Sequence, residues 1–167
     1  MSRAFTKEGD GSLDPLPDLP LSPQPNYVTP RGFAALQARL LARQTDLATL
    51  RARAERLDKL PEAAAERDIR YLDARLRSAI VIDPTTLPLT EAAFGLRITV
   101  ADASGAQTSY EITGEDEASA PDHRIAPHSP LARALIGAQV GDSVIWRKPS
   151  GPITLDIVDI SHADPQP

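Results

Sequence analysis

The sequence predicts an α+β fold in which an antiparallel coiled-coil hairpin precedes a small antiparallel sheet carrying one short helix. Three observations predict it. Apolar residues from Phe33 to Ala79 recur at alternating spacings of three and four, with a single proline in the middle, as in two helices sharing one seam. Past Ile82 the period drops to two on either side of glycine-containing turns, the pattern of strand hairpins. Between those hairpins, "PLARALIG" opens on Pro130 and stops at Gly137, as a short helix does.

In chain order, residues 1–28 come first. Six of the 16 prolines lie within the first 30 residues, in "LDPLPDLPLSPQPNYVTP". Proline removes a backbone donor and pushes its predecessor toward extended geometry, so this segment is expected to be an extended or disordered arm. Residues 29–81 form the hairpin. Thr29 can cap the first helix and Pro30 costs no needed hydrogen bond at its first position. Its seam runs through Phe33, Leu36, Leu40, Leu47, Leu50, Ala54 and Leu57, with Arg43 in the one missing apolar place; such a substitution implies a register or contact role.

After Pro61 the seam resumes at Ala65, Ile69, Leu72, Leu76 and Ala79, so Leu60 and Pro61 mark the bend. Counting outward from that bend pairs Leu57 with Ala65, Ala54 with Ile69, Leu50 with Leu72, Leu47 with Leu76 and Arg43 with Ala79. A first helix of about 29 residues and a second of about 18 would then span roughly 43 and 27 Å. Phe33, Leu36 and Leu40 are left to pack on the second domain or the arm. Residues 82–161 make that domain, with hairpins around Ser104-Gly105 and Pro149-Ser150-Gly151-Pro152, and residues 162–167 are a tail.

Composition narrows the chemistry. Without cysteine there is no disulfide, thiolate metal site or thiol nucleophile. No apolar run approaches the roughly 20 residues that span a bilayer, so the expectation is a cytoplasmic protein with no membrane contact. The net charge of -5 is uneven: residues 31–80 carry +4, against -2 before and -7 after them. A basic hairpin on an acidic protein reads either as a contact for polyanions or as a solvated helix face. The three histidines lack partners at ligand spacing, so no intrinsic metal site is expected. Ser129 before Pro130 reads as a helix cap rather than a nucleophile, and there is no Gly-rich phosphate loop.

The blocks "NYVTPRGFAALQARL", "VIDPTTLP", "FGLRITV", "YEITGEDEA" and "SPLARALIGAQVGDSVIW" together resemble the GreA/GreB family of transcription elongation factors, over Tyr27 to Ile160. The resemblance implies an FKBP-like C-terminal domain that docks on bacterial RNA polymerase beside its secondary channel, with the coiled coil entering the channel. Nascent RNA or DNA would be met only within the transcription complex. It implies tip carboxylates that help hold a polymerase Mg²⁺ for cleavage of backtracked RNA, Mg²⁺ being a cofactor shared with the polymerase active site. The family's "GDLSEN"-like tip is absent; its nearest equivalent is Asp58-Lys59-Leu60-Pro61-Glu62, and the hairpin is several turns shorter.

The candidate tip carboxylates are therefore Asp58 and Glu62, the alternative being ordinary helix-end charge. Glu66 is explained by pairing with Arg70 one turn on. Candidate contacts to RNA or the channel are Arg43, Arg51, Arg53, Arg56, Arg67 and Arg70, the alternative being solubility. Candidate polymerase-docking residues are Ser129, Pro130, Leu131, Arg133 and Gly137. The expected function is an elongation factor with no catalytic site of its own. Two alternatives stand beside it: a short-hairpin paralogue that occludes the channel, or a regulator of another protein such as a metabolic kinase, since "GDSVIW" is also similar to the regulator of nucleoside diphosphate kinase.

Overall fold

The computed structural model describes residues 15–53 and 58–163. Ala54 to Leu57, the arm before Pro15 and the tail beyond Ala163 lie outside the described residues, and with them the expected Ala54 and Leu57 pairings. The elements are β1 (Tyr27–Val28), α1 (Pro30–Arg51), α2 (Leu60–Ser78), β2 (Ile80–Val81), β3 (Leu96–Ala101), β4 (Gln107–Ile112), β5 (Arg124–Ile125), α3 (Pro130–Leu135), β6 (Ser143–Lys148) and β7 (Gly151–His162).

Helix α1 begins as its sequence requires. The Thr29 hydroxyl accepts from the Gly32 N–H at 3.0 Å, and Pro30 occupies the first helical position. It ends at Arg51 and α2 begins at Leu60, whereas the sequence places the bend at Leu60 and Pro61 alone. Pro61 lies in the first turn of α2, where its missing donor is harmless.

The seam also differs from the count made outward from the bend. Leu36 and Leu72, each 2% exposed, share one apolar cluster with Val28, flanked by Phe33, Leu40, Tyr71, Leu76 and Ala79. Leu72 and Leu76 therefore meet the beginning of α1, not Leu50 and Leu47, and Phe33, Leu36 and Leu40 are part of the hairpin's own core. The cause lies at the base. Strands β1 and β2 pair in parallel, Tyr27 opposite Ile80 and Val28 opposite Val81. Ile80 N–H donates to the Asn26 carbonyl at 2.8 Å, and Ile82 N–H to that of Val28 at 2.9 Å. These bonds pin the chain entering α1 beside the chain leaving α2, and pairing counts upward from there.

The five-stranded sheet runs β5-β4-β3-β7-β6 and is antiparallel except that β5 lies parallel to β4. The turn between β3 and β4 is built on Asp102, whose Oδ1 accepts the N–H groups of Ser104 at 2.8 Å and Ala106 at 3.1 Å. Gly105 takes the positive φ of 82° that this turn needs. Strand β7 bends across the sheet at a bulge: Thr99 pairs with Asp159 and Val100 with Ile157, leaving Val158 over. Leu131, Ala132 and Leu135 of α3 close one face, joining Leu96, Ile98, Ile112, Leu155, Ile157 and Ile160 in a single core.

Hairpin and sheet are joined by the acidic turn Glu115–Glu117. The Arg75 side chain of α2, 3% exposed, donates to Asp116 at 2.6 Å and to Glu115 at 3.4 Å. The Tyr71 hydroxyl donates to the other Asp116 oxygen at 2.8 Å. Burial, and then this hydrogen bond, raise the Tyr71 phenol above its ordinary pKa. Glu117 turns to α1, accepting from the Thr29 N–H at 3.1 Å and the Thr29 hydroxyl at 2.5 Å, and also from the Gly114 N–H at 3.1 Å. Gly32 leaves room for it, since a Cβ there would stand 2.1 Å from the Glu117 carboxyl carbon.

Two stability measurements check this arrangement by urea denaturation. Leu36→Ala and Leu72→Ala should each cost about 2 to 4 kcal/mol, and the half-buried Leu50→Ala clearly less; equal losses would restore the register counted from the bend. Asp116→Ala should cost about 3 kcal/mol or more, because it strands the buried Arg75 guanidinium, and Asp116→Ala combined with Arg75→Met should recover part of that loss.

Candidate functional site

The hairpin tip and flank, together with the exposed side of α3, hold the residues that the sequence singles out. At the tip the two candidate carboxylates have different environments. Asp58 is exposed, and its Oδ1 accepts from the Leu60 N–H at 2.9 Å, helping to start α2. Glu62 sits in the first turn of α2 and is buried, with 7% of its surface exposed. The structure therefore does not bring the two forward as a pair of solvent-facing oxygen ligands. Among the described residues no three His, Asp or Glu side chains are grouped to hold a metal ion.

Along the flank, two adjoining clefts of about 410 and 440 Å³ share Arg43, Asp46 and Asp68 and make one groove between the helices. Toward the tip it is lined by Leu50, Arg53, Pro61 and Ala64, and toward the base by Arg39, Ala42, Tyr71 and Leu72, with Leu19 of the arm beside them.

Most of the candidate arginines are held by carboxylates of the same chain. Arg43 does not occupy the seam: its side chain is half exposed and bridges to Asp46 and to Asp68 of α2, both at 3.3 Å. That ion pair crosses between the helices, so Arg43 acts on their register from outside the core. Arg51 pairs with Glu66, and Arg70 with Asp18 at 2.6 Å, so the expected pairing of Glu66 with Arg70 gives way to longer-range ones. Arg67 pairs with Asp68 at 3.1 Å. Arg53 is exposed on the groove, without an ion-pair partner among the described residues, and Arg56 lies outside them. Exposed pairs of this kind contribute about 0 to 1 kcal/mol each, so an incoming anion can replace them.

The docking candidates divide into support and surface. The Ser129 hydroxyl accepts from the Ala132 N–H at 3.2 Å and caps α3, and Leu131 is in the core. Pro130 and Arg133 are exposed. Gly137, at a φ of 85°, ends the helix by donating to the Ala92 carbonyl at 2.8 Å. Ile136 and Val140, 45% and 55% exposed, extend this surface with apolar area. The arm, expected as a packing surface for Phe33, Leu36 and Leu40, is held instead through Asp18 on Arg70 and Ser22 on Glu115. The Glu115–Glu117 turn is not among the residues that the sequence singles out. The signal was present in "GEDEA", three consecutive acids with no base beside them, which implies distant partners.

The family profile described as "Transcription elongation factor, GreA/GreB, C-term" matches residues 87–162. GreA of Francisella philomiragia is 38% identical over 152 residues, which is 81% of this chain and 95% of that protein. GreA of Pseudomonas putida is 36% identical over 103 residues, 60% of this chain, and the match spans only 64% of that relative's length, less than two thirds. Among solved structures, a GreA/GreB factor from Nitrosomonas europaea matches with a TM-score of 0.42 and 19% identity, covering 82% of this chain and 99% of that one. Gfh1 of Thermus thermophilus matches with a TM-score of 0.38 and 22% identity, over 82% and 99% of the two chains. Identity sustained over four fifths of the chain, with a family profile across its sheet, leads to one conclusion: the chain belongs to the GreA/GreB family of transcription elongation factors.

Proposed function

We propose that this protein binds bacterial RNA polymerase at the secondary channel and modulates elongation by occupying the channel, without supplying carboxylates to transcript cleavage. Membership of the GreA/GreB family supports the choice of partner. The observation that carries the second half is the tip: Asp58 is engaged with the Leu60 N–H and Glu62 is buried. Mg²⁺ takes solvent-facing oxygen ligands; Asp58 is exposed, but Glu62 is buried and does not complete a pair with it. No step is therefore assigned to a metal held by this chain.

In this reading the sheet domain provides affinity through the exposed Pro130, Arg133, Ile136 and Val140, while Ser129 and Leu131 keep α3 in shape and Gly137 ends it. The hairpin provides the obstruction. Those of its arginines that pair with carboxylates of the same chain, Arg43, Arg51, Arg67 and Arg70 among them, can exchange these for acidic groups of the channel or for RNA phosphates within the transcription complex.

Titration of labelled protein into core RNA polymerase should give saturable binding, micromolar or tighter. On backtracked complexes the protein should leave transcripts uncleaved and should compete against a cleavage-competent relative. Stimulated cleavage that Asp58→Ala abolishes would overturn the occlusion reading. Arg133→Ala should weaken polymerase binding about three- to tenfold while leaving thermal stability unchanged, because the side chain lies on the surface and not in the core. Unchanged affinity would remove α3 from the docking surface.

A further inference from the structure

The proline-rich segment from Pro15 to Pro25 has no helix or strand, bends at Pro23–Gln24, and lies along α2. Moving back from Asn26, whose side chain donates to the Arg75 carbonyl at 2.8 Å, the arm climbs from the base of the hairpin. The Ser22 hydroxyl donates to Glu115 at 2.8 Å. Leu19 is half-buried and lines the groove with Tyr71 and Leu72. Beside it, Arg70 Nε donates to the Asp18 carboxylate at 2.6 Å, and Arg70 Nη2 to the Leu16 carbonyl at 2.9 Å. One guanidinium thus holds two oxygens of an extended acidic peptide, whose leucine sits in the neighbouring groove.

We propose that the arm is a built-in competitor on the hairpin, holding the place of an extended acidic segment of a partner protein that binds Arg70 and the groove beside Tyr71 and Leu72. This deepens the preceding reading, on which it rests, by naming the chemistry that meets the hairpin flank. The seated arm is itself the template for that ligand: a carboxylate and a main-chain carbonyl on one arginine, with an apolar side chain next in sequence. A nucleic-acid strand offers phosphates but no side chain for the apolar part of the groove. Further along, Arg39 and Arg53 line the same groove without an ion-pair partner among the described residues, so a longer acidic segment finds more cations than the arm uses.

The arm is built to let go. The Asp18 side chain is 73% exposed and that of Arg70 41%, so their attraction is weak and screened by salt. The prolines at positions 15, 17, 20, 23 and 25 are all exposed and bury little. They also keep a released arm close to its bound, extended shape, which makes release and return easy.

The test uses the full chain and, as probe, a labelled peptide of sequence "DPLPDLPLSPQP", an extended acidic segment supplied in trans. Asp18→Ala, on an exposed side chain, should fold normally and take up the peptide about two- to fivefold more tightly than the unaltered protein. In the Arg70→Ala background the same change should give no gain, which separates release of Arg70 from a general loss of negative charge. Equal affinities with and without Asp18, or a gain that persists without Arg70, would overturn the proposal. A gain for an RNA dodecamer with none for the peptide would overturn the assignment to an acidic protein segment. The same variants titrated into core RNA polymerase test the preceding reading separately: absence of binding in every form would refute the polymerase as partner, while the competitor role is decided by the peptide.

Discussion

The buried guanidinium of Arg75 is the constraint on which the rest of the structure depends. A cation that is 3% exposed is tolerable only if carboxylates reach it, and both come from a turn in the sheet domain, at Glu115 and Asp116. That requirement draws the sheet against the base of α2. The third acid of the turn, Glu117, binds the start of α1 at Thr29. One short acidic segment thus holds both helices where they enter and leave the hairpin, and the β1–β2 pair completes the clamp.

Because the clamp is at the base, the hairpin is organised from the base upward. Leu36 and Leu72 form its core directly above the clamp, Leu47 and Ala65 continue the buried seam, and Leu50 near the end of α1 is half-buried. This order bears on function. The end of the hairpin joined to the sheet holds the Val28, Leu36 and Leu72 cluster, and toward the other end the helices are linked by exposed ion pairs such as Arg51 with Glu66. Among the described residues, Arg43, Arg51, Arg67 and Arg70, which read in the sequence as a polyanion surface, are matched by carboxylates of the same chain. The pairs are exposed, so each contributes only about 0 to 1 kcal/mol.

The arm shows the same economy of charge. Asp18 on Arg70 and Ser22 on Glu115 tie the proline-rich segment to α2 and to the acidic turn together. A segment whose prolines are all exposed and whose leucines are at most half-buried can be held this way only loosely, since exposed pairs contribute little. Its position nevertheless covers part of the groove in which Tyr71 and Leu72 lie.

The sequence by itself determined where the helices start and where the β3–β4 hairpin turns. Thr29-Pro30 starts α1, Pro61 lies in the first turn of α2, Ser129-Pro130 starts α3, and Ser104-Gly105 turns the β3–β4 hairpin, because capping and turn chemistry act within a few residues. The heptad spacing likewise identified which residues of each helix are apolar neighbours, but it could not say which turn of α1 faces which turn of α2. A seam of repeated leucines and alanines is compatible with several registers, and each slides into the next at little cost in local pattern. Only the tertiary structure decided among them. It did so through bonds between residues far apart in sequence, Asn26 and Val28 with Ile80 and Ile82, and Arg75 with Asp116. The same bonds decided that Arg43 stands outside the core. No local rule carries that information, because the partners that fix it are brought together only when the chain has folded.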